Sequence, residues 1–374
     1  MMNRVRCDDT GEKKVFFAAA NSRDGFVSFY GSIFGSENIK KRYLIKGGPG
    51  TGKSTFIRRV AGRAEAEGYS VEYYRCSSDP DSLDGALIDG KVALLDATAP
   101  HEANAELPGA RDEIIDLGAF WSSDDLEALT KDIKALSDSK KRCYGIAYRF
   151  LDASGRVGEA CMALISPFVK WKKMRRAAHK TVGVMPMGCG YSISIGLRDS
   201  VGMKGRVRLP VYENEAEKLY LVKDRFDVAS LYLGMLAEEA VARHLKIRVS
   251  YSPVDTERID GVMFDDSKTA FVVSDGCSSV DAHSCVKVLD MSRFVDLSGA
   301  EGRSARREYR TARALSEGLI ESAVCSLEDA GRYHLELERL YGKYMDFKGL
   351  SDYCEAFIQR LIEWLENHSS AKSH

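Results

Sequence analysis

Apolar residues recur along this chain with two periods, and the changes from one to the other mark out the elements. Val15-Phe16-Phe17-Ala18 and Tyr43-Leu44-Ile45 are short apolar runs of strand type. Val71 and Tyr73 alternate with polar residues in a strand predicted from Tyr69 to Cys76, and Val92-Ala93-Leu94-Leu95-Asp96 reads as a buried strand ending in a carboxylate. Between these strands, Phe56, Ile57, Val60, Ala61 and Ala64 fall at helical spacing, and Gly68 is placed to end that helix. Ser77-Ser78-Asp79-Pro80-Asp81 reads as a loop, followed by a brief turn through Leu83 to Leu87. From Ser123 the pattern turns helical, with Leu126, Leu129, Ile133 and Leu136 at intervals of 3, 4 and 3, and helices are expected to about Thr181. Strands alternating with helices predict an α/β fold with a parallel sheet, its ligand chemistry at the carboxyl ends of the strands.

The second half repeats the first. Tyr43-Leu44-Ile45-Lys46 returns 177 residues later as Tyr220-Leu221-Val222-Lys223. Val71 and Tyr73 match Val249 and Tyr251 at 178, and Asp84-Gly85 matches Asp260-Gly261 at 176. Ile115-Asp116-Leu117 and Phe120 match Leu289-Asp290-Met291 and Phe294 at 174, while Leu151-Asp152 and Arg156 match Leu327-Glu328 and Arg332 at 176. Five segments in order at nearly one offset describe a duplicated unit. The expected halves are 1–181, with an α/β core at 14–121 and helices at 122–181, and 182–374, with a core at 190–298 and helices at 299–368.

The chemistry concentrates where the first strand-to-helix junction lies. Gly47-Gly48-Pro49-Gly50-Thr51-Gly52-Lys53-Ser54 has the form G-x-x-x-x-G-K-[ST], with a strand before it and a helix after it. Glycines let successive backbone N–H groups turn inward toward phosphate oxygens, and the helix N-terminus adds roughly half a positive charge. Lys53 would reach the β- and γ-phosphates, the Ser54 hydroxyl would hold Mg²⁺, and Thr55 is expected to bind the nucleotide together with Gly47 to Ser54. Asp96, ending its strand, is placed to hold the same Mg²⁺ through water, or else simply caps a turn. Many ATPases follow that Asp with a water-activating Glu; here Ala97 follows, so hydrolysis needs a base from elsewhere or is slow. In the second copy the loop reads Asp224-Arg225-Phe226-Asp227-Val228-Ala229-Ser230-Leu231, so Ser230 replaces Lys53 and every glycine is gone. That copy should not bind a triphosphate in the ordinary way.

The segments FFAAANSRDGFVSFY, YLIKGGPGTGKST, CSSDPDSLDG, LLDATAPH and EIIDLGAFW resemble a bacterial family of duplicated P-loop ATPases of undefined physiological substrate. The resemblance covers nearly the whole chain and is strongest over residues 14–121. It implies a cytoplasmic ATP-binding protein rather than a particular reaction. Members often keep a P-loop in the second half, and this chain departs from them there.

Composition narrows the classes. In 374 residues, 54 Lys and Arg offset 55 Asp and Glu, so nothing global favours nucleic acid or a membrane surface. No apolar run is long enough to span a bilayer, the start lacks the apolar segment of a signal peptide, and nine scattered cysteines without a C-x-x-C suggest reduced thiols. These features give the expectation of a soluble cytoplasmic protein.

Further candidates each have a plainer alternative. His101, with Thr98 and Glu102 just past the Asp96 strand, is a candidate base or γ-phosphate sensor, or a surface histidine. Asp79 and Asp81 are candidates to orient water or an acceptor hydroxyl, or form an ordinary turn and helix start. Cys277, His283 and Cys285 lack the second pair that a zinc site requires and read as coincidence. The basic run at 170–176 is a candidate for nucleic acid or an acidic partner, or the solvated face of a helix, and Arg303, Arg306, Arg307, Arg310 and Arg313 form a second basic helix, or pair with Glu residues. Arg225, at the position of Gly48, is a candidate arginine finger toward the first loop, or a local partner of Asp224 and Asp227. The expected function is therefore Mg²⁺-dependent ATP binding and hydrolysis in the first half, with the second as structural or regulatory partner. Transfer of the γ-phosphate to an unknown small-molecule acceptor, and nucleotide sensing with a protein partner, are the alternatives.

Overall fold

The structure is a computed structural model and describes residues 6–7, 14–101, 103–186, 190–274 and 286–368. The first half contains strands β1 (Val15–Phe17), β2 (Lys41–Lys46), β3 (Val71–Arg75), β4 (Leu83–Ile88), β5 (Val92–Asp96) and β6 (Asp112–Asp116). They form one sheet in the order β1-β3-β4-β5-β2-β6. Helix α1 (Lys53–Ala66) packs on it through Phe56, Ile57, Val60, Ala61 and Ala64, the apolar positions read from the sequence. A 36-residue helix, α2 (Thr130–Ile165), and then α3 (Trp171–Gly183) follow.

The second half contains β7 (Ser192–Ile195), β8 (Lys218–Lys223), β9 (Lys246–Tyr251), β10 (Ile259–Phe264), β11 (Thr269–Ser274) and β12 (Val286–Asp290). Helix α4 (Ala229–Ala242) follows β8, and the 43-residue α5 (Ala300–Gly342) and α6 (Phe347–His368) end the half. Its sheet order is β7-β9-β10-β11-β8-β12, the order of the first half repeated. The chain is thus an α/β protein of two similar halves.

Three expectations are corrected. The sheets are mixed rather than parallel, because β4 and β10 run against both neighbours. The segment expected to be a turn, Leu83 to Leu87, is β4; its continuous burial hides the alternation that would reveal a strand. The repeat also has a different register along β3. Tyr74 opposes Gly85 as Ser250 opposes Gly261, and a bulge follows in each, so the offset here is 176 and not 178. A shift of two residues keeps every side chain on the same face of the sheet, so apolar patterning alone does not reveal it.

The halves are joined about a pseudo-twofold axis. Phe17, the last residue of β1, and Leu197, just past β7, exchange N–H···O bonds of 2.8 and 3.3 Å. The long helices α2 and α5 lie antiparallel, with Ser154 Oγ 2.9 Å from Ser316 Oγ. Ala147 and Ala323, equivalent at 176, are fully buried in the same seam.

The last helix of each half crosses to the other. Leu350, Cys354, Phe357, Ile358, Leu361 and Leu365 of α6 complete the core of the first half, over α1 and β2. Met174, Ala178 and Val182 of α3 complete the core of the second. Matching bonds fix the two crossings: Ser122 N to Tyr344 O at 2.9 Å and Asp346 N to Phe120 O at 2.7 Å on one side. On the other, Lys170 N to Phe294 O is 2.7 Å and Asp296 N to Phe168 O is 3.0 Å. The expected division at residue 181 therefore separates the halves along the chain but not in space.

This exchange makes a core residue at the far end of the chain essential to the first half. Leu361→Ala should cost about 2–5 kcal/mol in denaturant unfolding. Hydrogen exchange should then rise in α1 and β2 before it rises in α4 and β8. Equal or greater opening in the second half would contradict the exchanged arrangement.

Candidate functional site

The loop Gly47–Ser54 joins β2 to α1 at the carboxyl end of β2. Gly47, Gly50 and Gly52 have φ values of 154°, 70° and 83°, so at these positions the curve of the loop depends on glycine. At Gly50 a Cβ would also lie 2.4 Å from the carbonyl oxygen of Glu338, where α5 crosses the loop. Lys53 Nζ lies 2.9 and 2.8 Å from the carbonyl oxygens of Gly47 and Gly48 and 3.6 Å from Asp96 Oδ2. Asp96 is brought there because β5 pairs with β2, with Ile45 opposite Asp96. Its Oδ1 accepts the Thr98 N–H at 2.8 Å, and the Thr98 hydroxyl bonds Gly47 O at 3.1 Å, which ties strand end to loop. The Ser54 hydroxyl accepts the Leu83 N–H at 2.8 Å.

These residues line a cavity of about 770 Å³ that includes Pro49, Gly50, Thr51, Gly52, Lys53, Ser54, Thr55, Asp96, Thr98 and His101. Gly47 and Gly48 lie behind it, Gly47 against Thr51 and Leu117 and Gly48 against Trp121 and Tyr341. The far walls come from parts of the chain that the loop motif does not signal. α2 supplies Ser137, Lys140, Lys141 and Tyr144, while α5 supplies His334, Leu337, Glu338 and Tyr341. Met203 enters from a second-half hairpin (Asp199–Gly202 and Gly205–Arg208), anchored by its N–H on Ser78 O at 2.8 Å.

Lys140 makes no hydrogen bond or ion pair among the described residues, and burial and the charge of Lys53 hold its pKa below the usual lysine range. Three lysines, Lys53, Lys140 and Lys141, therefore share a cavity that also holds the carboxylates of Asp79, Asp81, Asp84, Asp96 and Glu338. His334 is pushed down to about 4, by burial first and then by Lys140, so it stands neutral beside them.

His101 is not a surface histidine. It is 7% exposed, stacked on Tyr30 at 5.1 Å and edge-on to Phe26 at 4.8 Å, with Nε2 3.1 Å from Asp84 Oδ2. Asp84 is pushed up to about 6, chiefly by burial, with His101 pulling it back and Asp96 raising it further. Cys76, at the end of β3, lies against the same pair, its thiol raised by burial and by Asp84. The sequence offered Asp84 only as a mark of the repeat. Asp79 and Asp81 are taken up by Lys204 at the tip of the second-half hairpin, 3.2 Å from Asp79 and also paired with Asp81. Glu102, Cys277, His283 and Cys285 lie outside the described residues.

No family model, curated protein or solved structure matches the chain. The informative comparison is between the two halves. The equivalent cavity of the second half holds about 510 Å³ and is lined by Asp224, Asp227, Ser230, Ser252, Asp260, Val273 and Ser316 among others. Strand register places Val273 where the first half has Asp96. Ser230 stands for Lys53, Ser252 for Cys76 and Ser316 for Lys140 at offsets of 176 or 177, while Asp260 keeps the place of Asp84.

The second loop carries its own anion. Asp224 accepts the N–H groups of Phe226 (3.2 Å), Val228 (3.1 Å) and Ala229 (2.8 Å), so its carboxylate fills the turn before α4. Asp227 binds the Tyr309 hydroxyl at 3.0 Å and Arg313 at 3.0 Å. Arg225 pairs with neither carboxylate and does not line the first cavity, so the arginine-finger expectation fails. It faces Asp290 of its own half, whose carboxyl is held low first by Ser292 and further by Arg225.

Asp224→Ala leaves three inward N–H groups without an acceptor and should cost about 1–3 kcal/mol of stability. Asp224→Asn, keeping one carbonyl oxygen, should lose less. Neither should change nucleotide affinity at the first loop; thermal melts with and without nucleotide check both statements.

Proposed function

We propose that the first half binds Mg²⁺-ATP at Gly47–Ser54 and transfers or hydrolyses its γ-phosphate, and that the second half serves as a non-binding partner that closes the site. The observation that carries this reading is the convergence of a glycine loop at a helix N-terminus, Lys53 and a strand-end Asp96 in one polar cavity. Backbone N–H groups and the α1 dipole favour phosphate at the loop, and Lys53 supplies the matching charge. Ser54 and Asp96 offer the hydroxyl and carboxylate oxygens that Mg²⁺ takes in such sites, with the remaining positions left to water and phosphate. No guanine-recognition NKxD motif occurs in the sequence, which favours ATP over GTP. The resemblance to duplicated P-loop ATPases points the same way.

Lys140 extends the phosphate site. It reaches the cavity from α2, opposite the loop, and its place in the second half is taken by a serine. A cation there would meet the terminal phosphate, where charge grows in the transition state. Phosphotransfer to a small acceptor is the second reading, favoured by the extension of the cavity past the loop toward Ser78, Tyr144 and Met203.

Lys53→Ala should remove most ATP affinity while circular dichroism stays unchanged, since the loop lies on an intact sheet. Equal affinity in the folded variant would remove the phosphate-loop assignment. Asp96→Asn should retain binding but lose at least tenfold in Mg²⁺-dependent turnover, read as released phosphate and as phosphorylated product in a metabolite mixture. Lys140→Ala should weaken ATP at least fivefold and leave ADP within twofold in calorimetry, by loss of one cation–phosphate contact. Equal losses for both nucleotides would place Lys140 away from the terminal phosphate.

A further inference from the structure

Three side chains at the back of the first cavity do not belong to the phosphate loop. Cys76 follows β3, Asp84 lies within β4 and His101 follows β5, three adjacent strands of the sheet. A sulfur, a carboxylate oxygen and an imidazole nitrogen from them all lie within 4.8 Å of one another. We propose that Cys76, Asp84 and His101 form a site for a divalent transition metal of the zinc class, with its remaining coordination position open to the cavity that contains Lys53 and Asp96. The inference goes beyond nucleotide binding and does not require it.

Geometry supports the set. Asp84 Oδ2 and His101 Nδ1 are both buried without a hydrogen-bond partner. Asp84 Oδ2 and His101 Nε2 are 3.1 Å apart without forming a hydrogen bond. A buried carboxylate oxygen left this way costs about 1–3 kcal/mol, and coordination of Asp84 Oδ2 to a cation shared with one imidazole nitrogen would remove that cost. Tetrahedral zinc with bonds of about 2.0–2.3 Å needs ligand atoms roughly 3.5 Å apart, so side-chain movement of about 1 Å would complete the site. The imidazole is already held by Tyr30 and Phe26, and the Tyr30 hydroxyl also bonds the backbone oxygen of Asp84 at 3.3 Å. Such outer contacts fix the orientation of metal-bound histidines.

The donor types separate this site from the magnesium position. Ser54 and Asp96 offer only oxygen, whereas a thiolate and an imidazole select a softer ion of the zinc type. Three protein ligands with one open position is the pattern of catalytic zinc rather than structural zinc. All three residues line the cavity that also contains Lys53, so an open coordination position would be accessible from that cavity. There a metal-bound oxygen would supply the activation that Ala97, in place of a glutamate, cannot give. The second half has Ser252 where Cys76 stands, so the thiol is lost along with the lysine and the strand-end carboxylate.

The test is cobalt titration of the metal-stripped full chain without nucleotide. One equivalent of Co²⁺ should bind with a thiolate-to-cobalt charge-transfer band and the visible bands of a tetrahedral ion, and Zn²⁺ should displace it. Cys76→Ser, whose hydroxyl matches the second half, should fold normally by circular dichroism and lose the charge-transfer band. Asp84→Asn and His101→Ala should weaken cobalt binding at least tenfold. Lys53→Ala should leave cobalt binding unchanged, which separates this site from the phosphate loop. A wild-type chain without the charge-transfer band overturns the proposal, and so does a band that persists in Cys76→Ser.

Discussion

Backbone N–H groups gathered at the start of a helix need a negative charge in front of them, and much of this molecule follows from that need. In each half a β-strand delivers its chain into such a turn, and the helix behind it adds its dipole. The first half leaves the turn open through glycines and sets Lys53 and Asp96 beside it. The second half answers the same N–H groups from within, with the carboxylate of Asp224. One turn stands open beside Lys53, and the other already contains a carboxylate.

What the sequence revealed followed from local physics. The strand, glycine loop and helix from Tyr43 to Ala64 were legible because each obeys a short-range rule of period or φ preference. The duplication was legible because apolar positions recur in order at a nearly constant offset. Strand β4 was missed because both its faces are buried, which removes the alternation that identifies half-exposed strands. The slip in the repeat register was missed because a two-residue shift leaves the in-and-out pattern intact. The exchange of the last helices was invisible because the apolar stripe of α6 does not say which sheet it covers.

The site divides in the same way. Lys53, Ser54 and Asp96 follow from one motif and one strand end. Cys76, Asp84 and Lys140 come from separate elements that only the sheet order and the long helices bring to the cavity. His101 carried a weak signal, a histidine shortly after a strand, and its burial between Tyr30, Phe26 and Asp84 gives it weight. The repeat itself held the missing information. Read in register, it sorts residues that differ between the halves, such as Lys53, Cys76, Asp96 and Lys140, from those kept for folding, such as Leu151 and Leu327.

The crossing of α3 and α6 bears on the history of the gene. An ancestor made of two identical subunits would have traded these helices between chains, each subunit finishing its neighbour's core. Fusion into one chain preserves that mutual dependence. The second copy is then free to lose its lysine, its glycines and its strand-end aspartate, but deleting it would strip the first copy of α6 and expose the apolar faces of α1 and β2. If the first half acts as proposed, the second would be retained whatever its own loop does, because its α6 completes the core of the first.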